Sequence, residues 1–242
     1  MGDSMPLPAL WQHLQGSALI VGQGGIGSAM TELLQSSCPD LTVLALGRRS
    51  HPRLDLGSDD DLEQLSGWLQ EQPALRLVIN TAGWLHDSGR GPEKRLQAVN
   101  RAGLEQAFGV NAFAPILLAK AVAPAFRHGQ PCWFASLSAR VGSIGDNHLG
   151  GWYGYRAAKA AQNQLLRTLA VEWKRRLPQV CVSLLHPGTT ATELSAPFRS
   201  AVPAEKLFSP ERAAGHLLDV LAQQKAHHSG SFLAWDGTVI PW

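Results

Sequence analysis

The sequence has 242 residues, of which 45% are hydrophobic and 17% charged, and its formal net charge is +2. This length and hydrophobic content can form a sizeable core and exclude a disordered chain, and the balanced charge argues against nucleic acid or a membrane surface as a partner. Three widely spaced cysteines, Cys38, Cys132 and Cys181, fit neither a disulfide framework nor a zinc site. No apolar run is expected to reach the roughly 18 residues of a membrane span, and the first residues do not resemble a secretory signal, so we expect a cytoplasmic protein.

Strand-like and helix-like stretches alternate along the chain. Six short apolar runs are predicted to be strands, at residues 17–21, 41–46, 75–80, 132–137, 180–185 and 231–235. Helices are predicted at residues 28–36, 59–72, 93–126, 155–177 and 210–224. Continuous apolar strands separated by helices are typical of a parallel sheet covered on both faces. The sequence therefore predicts an α/β fold, with one Rossmann-type domain over residues 1–242 and a doubly wound parallel sheet of about seven strands.

A glycine-rich turn follows the first predicted strand and satisfies the pattern G-x-G-x-x-G. Its residues are Gly22, Gln23, Gly24, Gly25, Ile26 and Gly27. Glycines allow a tight turn and let the backbone approach a pyrophosphate at the N-terminus of the next helix. Such turns also close ordinary loops, but this one lies between a predicted strand and a predicted helix, as a dinucleotide site requires. We therefore expect a bound dinucleotide.

The second predicted strand is followed by Gly47, Arg48 and Arg49. Proteins that bind NAD usually have an acidic residue in this region, which accepts a hydrogen bond from the ribose 2′-hydroxyl. Guanidinium groups accept no hydrogen bond but match a 2′-phosphate. A solvated basic turn would have the same sequence. We expect NADP(H) as the preferred cofactor, with NAD(H) possible.

Tyr155 and Lys159 lie four residues apart, on one face of a predicted helix. A free tyrosine has a pKa of about 10, and lowering it by about three units requires roughly 4 kcal/mol. A cation about 4 Å away supplies a similar amount at an effective dielectric constant of about 20. The spacing thus predicts a tyrosine that acts as an acid, although two exposed helix residues would show the same pattern.

Together with these residues, further segments in chain order resemble the short-chain dehydrogenase/reductase family over essentially the whole sequence. These segments are Asp55-Leu56, Asn80-Thr81-Ala82-Gly83, Val110-Asn111, Ser138 and Pro187-Gly188-Thr189-Thr190-Ala191-Thr192. The stretch from Val141 to Tyr155 resembles the subgroup that contains the bacterial C-factor signalling protein and the insect carbonyl reductase sniffer.

The resemblance implies an oxidoreductase that transfers hydride between a nicotinamide and a small carbonyl or alcohol substrate. In this family pattern Tyr155 exchanges the proton, Ser138 donates a hydrogen bond to the same oxygen, Lys159 lowers the tyrosine pKa and holds the nicotinamide ribose, and Asn111 anchors a water. Ser138 precedes Tyr155 by 17 residues, more than is usual in the family, so Ser136 and Ser143 remain alternatives.

Cofactor contacts follow from the same resemblance. They are expected at Asp55, Leu56, Asn80, Thr81, Ala82, Gly83, Tyr155, Lys159, Pro187, Gly188, Thr189 and Thr192. The glycine-rich turn is one residue shorter than the family's usual turn, which leaves its phosphate contacts open.

Pro115 supports the role of Asn111 on physical grounds. Proline has no N–H, so the carbonyl four residues earlier, that of Asn111, lacks its helical partner. A carbonyl freed inside an apolar helix needs another donor, and an ordered water is a natural one. A simple kink in the helix is the alternative.

Large apolar residues in the loops after the strands are expected to line the substrate site. Trp84, Ile144 and Trp152 are the main candidates, and Leu85, Leu194 and Phe198 extend the same wall, unless these side chains only pack locally. His86 and His148 lie in the same loops, and no histidine set has metal-ligand spacing, so no metal site is expected. The apolar helix around residues 108–126 is expected to be buried against other helices or a partner subunit, and the family resemblance implies a homodimer or homotetramer. There are two alternatives to an enzyme. One is a regulatory or signalling protein that binds NADP(H), and the other is a scaffold with this fold.

Overall fold

The structure, a computed structural model, describes residues 7–89 and 91–242. The strands of this part of the chain are β1 (Gly16–Val21), β2 (Leu41–Leu46), β3 (Leu75–Asn80), β4 (Cys132–Leu137), β5 (Val180–His186), β6 (Thr189–Thr190), β7 (Leu207–Phe208) and β8 (Ser231–Ala234). Its α-helices are α1 (Ala9–Gln12), α2 (Gly25–Ser37), α3 (Asp59–Trp68), α4 (Arg101–Phe108), α5 (Ala114–Val122), α6 (Tyr153–Arg176) and α7 (Pro210–Ala222).

The main sheet has six strands in the order β2-β1-β3-β4-β5-β8, and every pair is parallel. These are the six runs expected from the sequence, so the α/β fold is confirmed. The sheet has one strand fewer than the expected seven, and β6 and β7 pair separately in a two-stranded ribbon. The strand order reverses at β1, between β2 and β3. Ligands of such sheets bind at this reversal, outside the carboxyl ends of the strands.

Two hydrophobic clusters cover the two faces of the sheet. Alternate residues of β4 point to opposite faces, so Phe134 joins one cluster and Trp133 the other. Phe134 packs against Trp173 of α6 with ring centroids 5.8 Å apart, and Trp133 packs against Trp11 of α1 at 5.2 Å. Helices α3, α5 and α6 contribute to the first cluster, and α2 and α7 to the second. Burial on both faces explains why most positions of these strands are apolar.

The helix predicted over residues 93–126 begins later than expected and is not continuous. Asn100 starts α4, since its side-chain oxygen accepts a hydrogen bond from the Gly103 N–H at 2.9 Å. A π-helical turn, Gly109–Phe113, then separates α4 from α5. It includes Asn111, whose carbonyl cannot bond to Pro115 four residues on, so the regular hydrogen-bond pattern is interrupted there.

The segment Arg101–Phe126 has the length and the mean hydropathy, 1.4, of a membrane-crossing helix. The expectation that no apolar run is this long is therefore wrong for this segment. Half of its most apolar window is buried inside the protein, as in the core helix of a folded domain.

Candidate active site

The glycine-rich turn brings β1 against the turn that follows β3. Gly22 has a φ of +99°, and a Cβ atom there would lie 2.7 Å from the Thr81 side-chain oxygen. A Cβ atom on Gly27 would lie 2.0 Å from the Gly22 carbonyl oxygen. Only glycine fits at both positions. The Thr81 hydroxyl lies 3.0 Å from the Val21 carbonyl oxygen and 3.1 Å from that of Gly22, which ties the two turns together.

The N-terminus of α2 is open to an anion. Its cap residue, Gly24, provides no side-chain hydrogen bond to the first turn, and a Cβ atom on Gly24 would meet nothing within 4 Å. Free N–H groups at the positive end of a 13-residue helix favour a negatively charged ligand. The turn therefore fits the pyrophosphate of a dinucleotide despite its shorter spacing.

The segment after β5 folds back onto this turn. A Cβ atom on Gly25 would lie 3.0 Å from the Thr192 methyl group, so the two predicted cofactor segments are in contact. Gly188 has a φ of +74° and packs against the Phe208 ring. Within the described ranges, Thr190 Oγ1 and His186 Nδ1 are buried side-chain atoms without a hydrogen-bond partner. Unpaired buried polar atoms are costly, and those of this segment are suited to the polar groups of a bound cofactor.

Arg48 and Arg49 are exposed just after β2. Neither forms an ion pair with any residue that the structure describes. The Gln23 side chain lies over Gly47, where a Cβ atom would be 3.2 Å from its amide oxygen. The basic turn thus adjoins the glycine-rich turn.

Asp55, expected near the adenine, pairs with Arg53 at 3.0 Å. Leu56 is half-buried and packs against the core.

Tyr155 and Lys159 lie on the buried side of α6. Lys159 is 3% exposed, and its ammonium nitrogen lies 5.8 Å from the centre of the Tyr155 ring. The ammonium donates hydrogen bonds to the Leu137 carbonyl at 2.8 Å and to the Gln162 side-chain oxygen at 2.9 Å. An ammonium has three N–H donors, so one is left for a ligand.

Burial changes the acid–base properties of this pair in opposite directions. It raises the pKa of Tyr155 above its usual value and lowers the pKa of Lys159 to about 7. The spacing of the two residues predicts that the ammonium lowers the tyrosine pKa, but burial outweighs that attraction. The phenol is therefore protonated at neutral pH, which is the form that donates a proton.

The three candidate serines have different surroundings. Ser138, just after β4, donates a hydrogen bond to the Asn163 side-chain oxygen at 2.6 Å. Ser136 is fully buried and accepts hydrogen bonds from the side chains of Asn80 on β3 and Gln162 on α6. Ser143 accepts a hydrogen bond from the Asp146 N–H at 3.1 Å. Ser138 must turn its hydroxyl away from Asn163 before it can donate to another oxygen.

Asn111 holds the loop after β3 through its side chain. The amide oxygen accepts from the Trp84 N–H at 3.0 Å, and the amide nitrogen donates to the Trp84 carbonyl at 2.8 Å. The same nitrogen donates to the Ala107 carbonyl at 3.0 Å. The sequence predicts a role only for the Asn111 backbone carbonyl, and these side-chain contacts were not predicted.

A cavity of about 200 Å³ lies beside Tyr155. Its lining residues include Trp84, Glu93, Asn100 and Ala107. The Glu93 carboxylate accepts a hydrogen bond from the Gly154 N–H at 3.2 Å, in the first turn of α6, where the helix dipole favours negative charge. Sequence reasoning missed Glu93, because no local pattern shows that this loop reaches the start of α6.

The expected substrate residues do not all come together. Trp84 lines the cavity, and Trp152 packs against Tyr155 at 6.3 Å and against Phe198 at 4.7 Å between ring centres. Ile144 is 78% exposed, and Leu85 is buried in the protein. Ile144 is absent from the lining of the cavity, so it does not extend the wall formed by the aromatic residues.

Across residues 7–89 and 91–242, no three His, Cys, Asp or Glu side chains are grouped closely enough to hold a metal ion.

A family model described as short chain dehydrogenase matches residues 17–203. The chain belongs to the short-chain dehydrogenase family. This short-chain dehydrogenase is 31% identical over 206 residues to 1-hydroxy-2-glutathionyl-2-methyl-3-butene dehydrogenase of Rhodococcus sp. (strain AD45), with 83% of each chain covered. It is 33% identical over 167 residues to C-signal of Myxococcus xanthus, with 69% of this chain and 92% of the relative covered.

Solved structures of carbonyl reductases have the same fold. The NADPH-bound carbonyl reductase from chicken fatty liver matches with a TM-score of 0.81 and 24% identity, covering 95% of this chain and 100% of that one. Sniffer of D. melanogaster matches with a TM-score of 0.79 and 23% identity over the same shares. The expected resemblance to the C-factor and sniffer subgroup is confirmed. The short-chain dehydrogenase is thus an oxidoreductase that uses a nicotinamide cofactor and a small-molecule substrate.

Replacing Lys159 with Met is predicted to stabilise the protein at pH 6 by a few kcal/mol, because burial lowers the lysine pKa from 10.5 to about 7 and each unit corresponds to about 1.4 kcal/mol. The unfolded chain keeps its lysine charged up to about pH 10, whereas the folded protein must bury that charge below about pH 7. The advantage of Lys159→Met should therefore be full below pH 7 and decrease as the pH rises toward 10. Denaturant unfolding at several pH values measures it.

Lys120→Met is the control, since Lys120 is exposed on α5. It should change stability little at any pH. A Lys159→Met protein that is less stable than the wild type at pH 6 would contradict the assignment of a costly buried ammonium.

Proposed function

We propose that this short-chain dehydrogenase is an NADP(H)-dependent carbonyl reductase, or alcohol dehydrogenase in the reverse direction, for small and rather apolar substrates. The observation that carries this proposal is a buried tyrosine beside a cavity, with a buried lysine next to its ring. Tyr155 lines that cavity together with Trp84. The Lys159 ammonium lies against the Tyr155 ring, with one donor unused.

In the reduction direction, Tyr155 donates its proton to the carbonyl oxygen of the substrate. Its raised pKa keeps the phenol protonated at neutral pH, and the positive charge of Lys159 favours the phenolate that remains after proton transfer. The nicotinamide, when bound, supplies the hydride. Ser138 releases Asn163 and donates its hydroxyl to the same substrate oxygen, which fixes the position of that oxygen.

Residues around the crevice would hold the cofactor. The glycine-rich turn and the N-terminus of α2 would bind its pyrophosphate, and Arg48 and Arg49 its 2′-phosphate. Lys159 would hold the nicotinamide ribose through its third donor, and the backbone carbonyl of Asn111 would anchor a water that exchanges protons with Lys159. The remaining contacts would come from Asp55, Leu56, Asn80, Thr81, Ala82, Gly83, Pro187, Gly188, Thr189 and Thr192.

A regulatory protein that binds NADP(H) is the second candidate. The relative named C-signal supports it, since that name describes a signal rather than an enzyme. Tyr155 and Lys159 favour the enzyme, because a protein that only binds the cofactor has no need of a proton donor beside the cavity. Tight NADPH binding without turnover of any aldehyde or ketone would favour the regulatory protein.

Tyr155→Phe is predicted to lower the NADPH-dependent reduction of aldehydes and ketones at least about a hundredfold, since it removes only the proton donor. NADPH oxidation with a panel of carbonyl compounds measures the rate. Tyr153→Phe is the matched control, because Tyr153 is the only other tyrosine, begins the same helix and is 41% exposed. Equal rates in the wild type and in Tyr155→Phe would reject the catalytic assignment.

The double variant Arg48→Ala/Arg49→Ala is predicted to weaken NADPH binding about ten- to hundredfold, the effect of losing one or two charge-assisted hydrogen bonds. NADH binding should change less than about threefold, because NADH has no 2′-phosphate for the arginines to bind. Cofactor fluorescence titrations give both dissociation constants.

The charge-matched control is Arg175→Ala/Arg176→Ala, in the last turn of α6. Similar losses of affinity for NADPH and NADH in the Arg48/Arg49 variant would remove the argument for phosphate recognition.

A further inference from the structure

Gln162 is a fully buried glutamine one helical turn after Lys159 on α6. Its side-chain oxygen accepts the hydrogen bond from the Lys159 ammonium at 2.9 Å. Its side-chain nitrogen donates to the Ser136 hydroxyl at 2.8 Å and to the Leu137 carbonyl at 3.2 Å. Both ends of the amide are thus satisfied, and the side chain has a fixed orientation.

The hydrogen bonds continue from Gln162 to the turn after β3. Ser136 also accepts from the Asn80 amide nitrogen at 3.0 Å, and the Asn80 oxygen accepts from the Ala82 N–H at 3.1 Å. Asn80, Ser136 and Gln162 are all fully buried. A connected set of buried polar groups therefore runs from a predicted cofactor-binding turn to the lysine, and a fully satisfied network of this kind is rigid.

The Lys159 ammonium has no carboxylate partner. No acidic oxygen lies within 4.0 Å of it in the described part of the chain. Tyr155 is the titratable group packed against it from the same helix. Arg140, in the turn between β4 and α6, pairs with Asp146 at 2.9 Å, and the Glu93 carboxylate binds the Gly154 N–H.

The buried ammonium therefore donates hydrogen bonds to two neutral oxygens, the Leu137 backbone oxygen and the Gln162 side-chain oxygen, in place of water. The Leu137 oxygen is a backbone group that every sequence would supply at this position, and it is shared with the Gln162 nitrogen. The Gln162 oxygen is the side-chain contribution, so it is the part of the arrangement that this sequence specifies. Losing it would leave a buried charge with one acceptor.

We propose that Gln162 is a positioning residue that keeps the Lys159 ammonium charged and turned toward Tyr155. The expected effect of Gln162 on catalysis rests on the proposed function. The expected effect of Gln162 on the charge of Lys159 does not, because it can be measured without cofactor or substrate.

Two substitutions with opposite expected effects test the proposal. Gln162→Met keeps a similar volume but removes the strong acceptor, so the pKa of Lys159 should fall further. Gln162→Glu places a negative charge at the same distance, so that pKa should rise. Gln164→Met is the control, because Gln164 is exposed on the same helix and bonds only to Thr168.

The first readout is the titration of Lys159 in the cofactor-free protein, followed by NMR of ¹³Cε-labelled lysine. The chain has six lysines, so the signal is assigned by its loss in Lys159→Met. The midpoint should move down by about one pH unit or more in Gln162→Met, since hydrogen bonds to charged groups are among the stronger ones. It should move up in Gln162→Glu and stay unchanged in Gln164→Met.

The second readout is the pH profile of kcat/KM for carbonyl reduction. Activity that needs a charged Lys159 declines as the pH rises through the pKa of that lysine. This decline should occur at lower pH in Gln162→Met and at higher pH in Gln162→Glu. A role in stability alone would lower the activity equally at every pH.

The outcomes separate this inference from the proposed function. If the titration midpoint of Lys159 in both Gln162 variants equals that in the Gln164→Met control, the proposed role of Gln162 is wrong. This conclusion does not depend on the reaction that the enzyme catalyses. Activity that does not depend on Tyr155 would overturn the proposed function, while the NMR titration would still decide the role of Gln162. If Gln162→Met does not fold, Gln162→Glu alone decides, because it retains the acceptor.

Discussion

The burial of one ammonium group is the constraint on which the rest of the site depends. Lys159 lies among the ends of β4 and the start of α6 with two neutral acceptors and no acidic partner in the described residues. Burying a charge is costly, and here the cost lowers the lysine pKa to about 7. Such a group destabilises the folded protein. Its charged and neutral forms are similarly populated at neutral pH, and the charged form acts on the residue packed next to it, which is Tyr155.

The fold supplies the surroundings that this ammonium requires. Parallel strands end at one edge of the sheet, so Asn80, Ser136 and the Leu137 carbonyl reach the same place from β3 and β4. The loops above them are fixed by a few buried contacts rather than by regular structure. Thr81 ties the glycine-rich turn to β3, and Asn111 holds Trp84 through two hydrogen bonds.

The sequence predicts most of this fold, because apolar strands buried on both faces and glycines at a turn are local patterns. The spacing of Tyr155 and Lys159 likewise places them on one helical face. Features set by tertiary contacts could not be predicted. Asn100, not residue 93, begins the long helix, and burial rather than the neighbouring ammonium controls the tyrosine pKa. Gln162 was not predicted, because two of its hydrogen-bond partners, Ser136 and Leu137, lie 26 and 25 residues away in the sequence. The apolar side chain of Ile144 predicts a place in the substrate site, but in the structure this residue is exposed.

A crystal structure of the protein with NADPH bound is the most direct test of the view that Lys159 joins the cofactor to the proton donor. Our account predicts that the ammonium keeps its bonds to Leu137 and Gln162 and gives its third donor to the nicotinamide ribose, with the Tyr155 hydroxyl facing the reactive ring. A bound NADPH whose ribose lies out of hydrogen-bond reach of Lys159, or a lysine side chain turned away from Gln162, would contradict it.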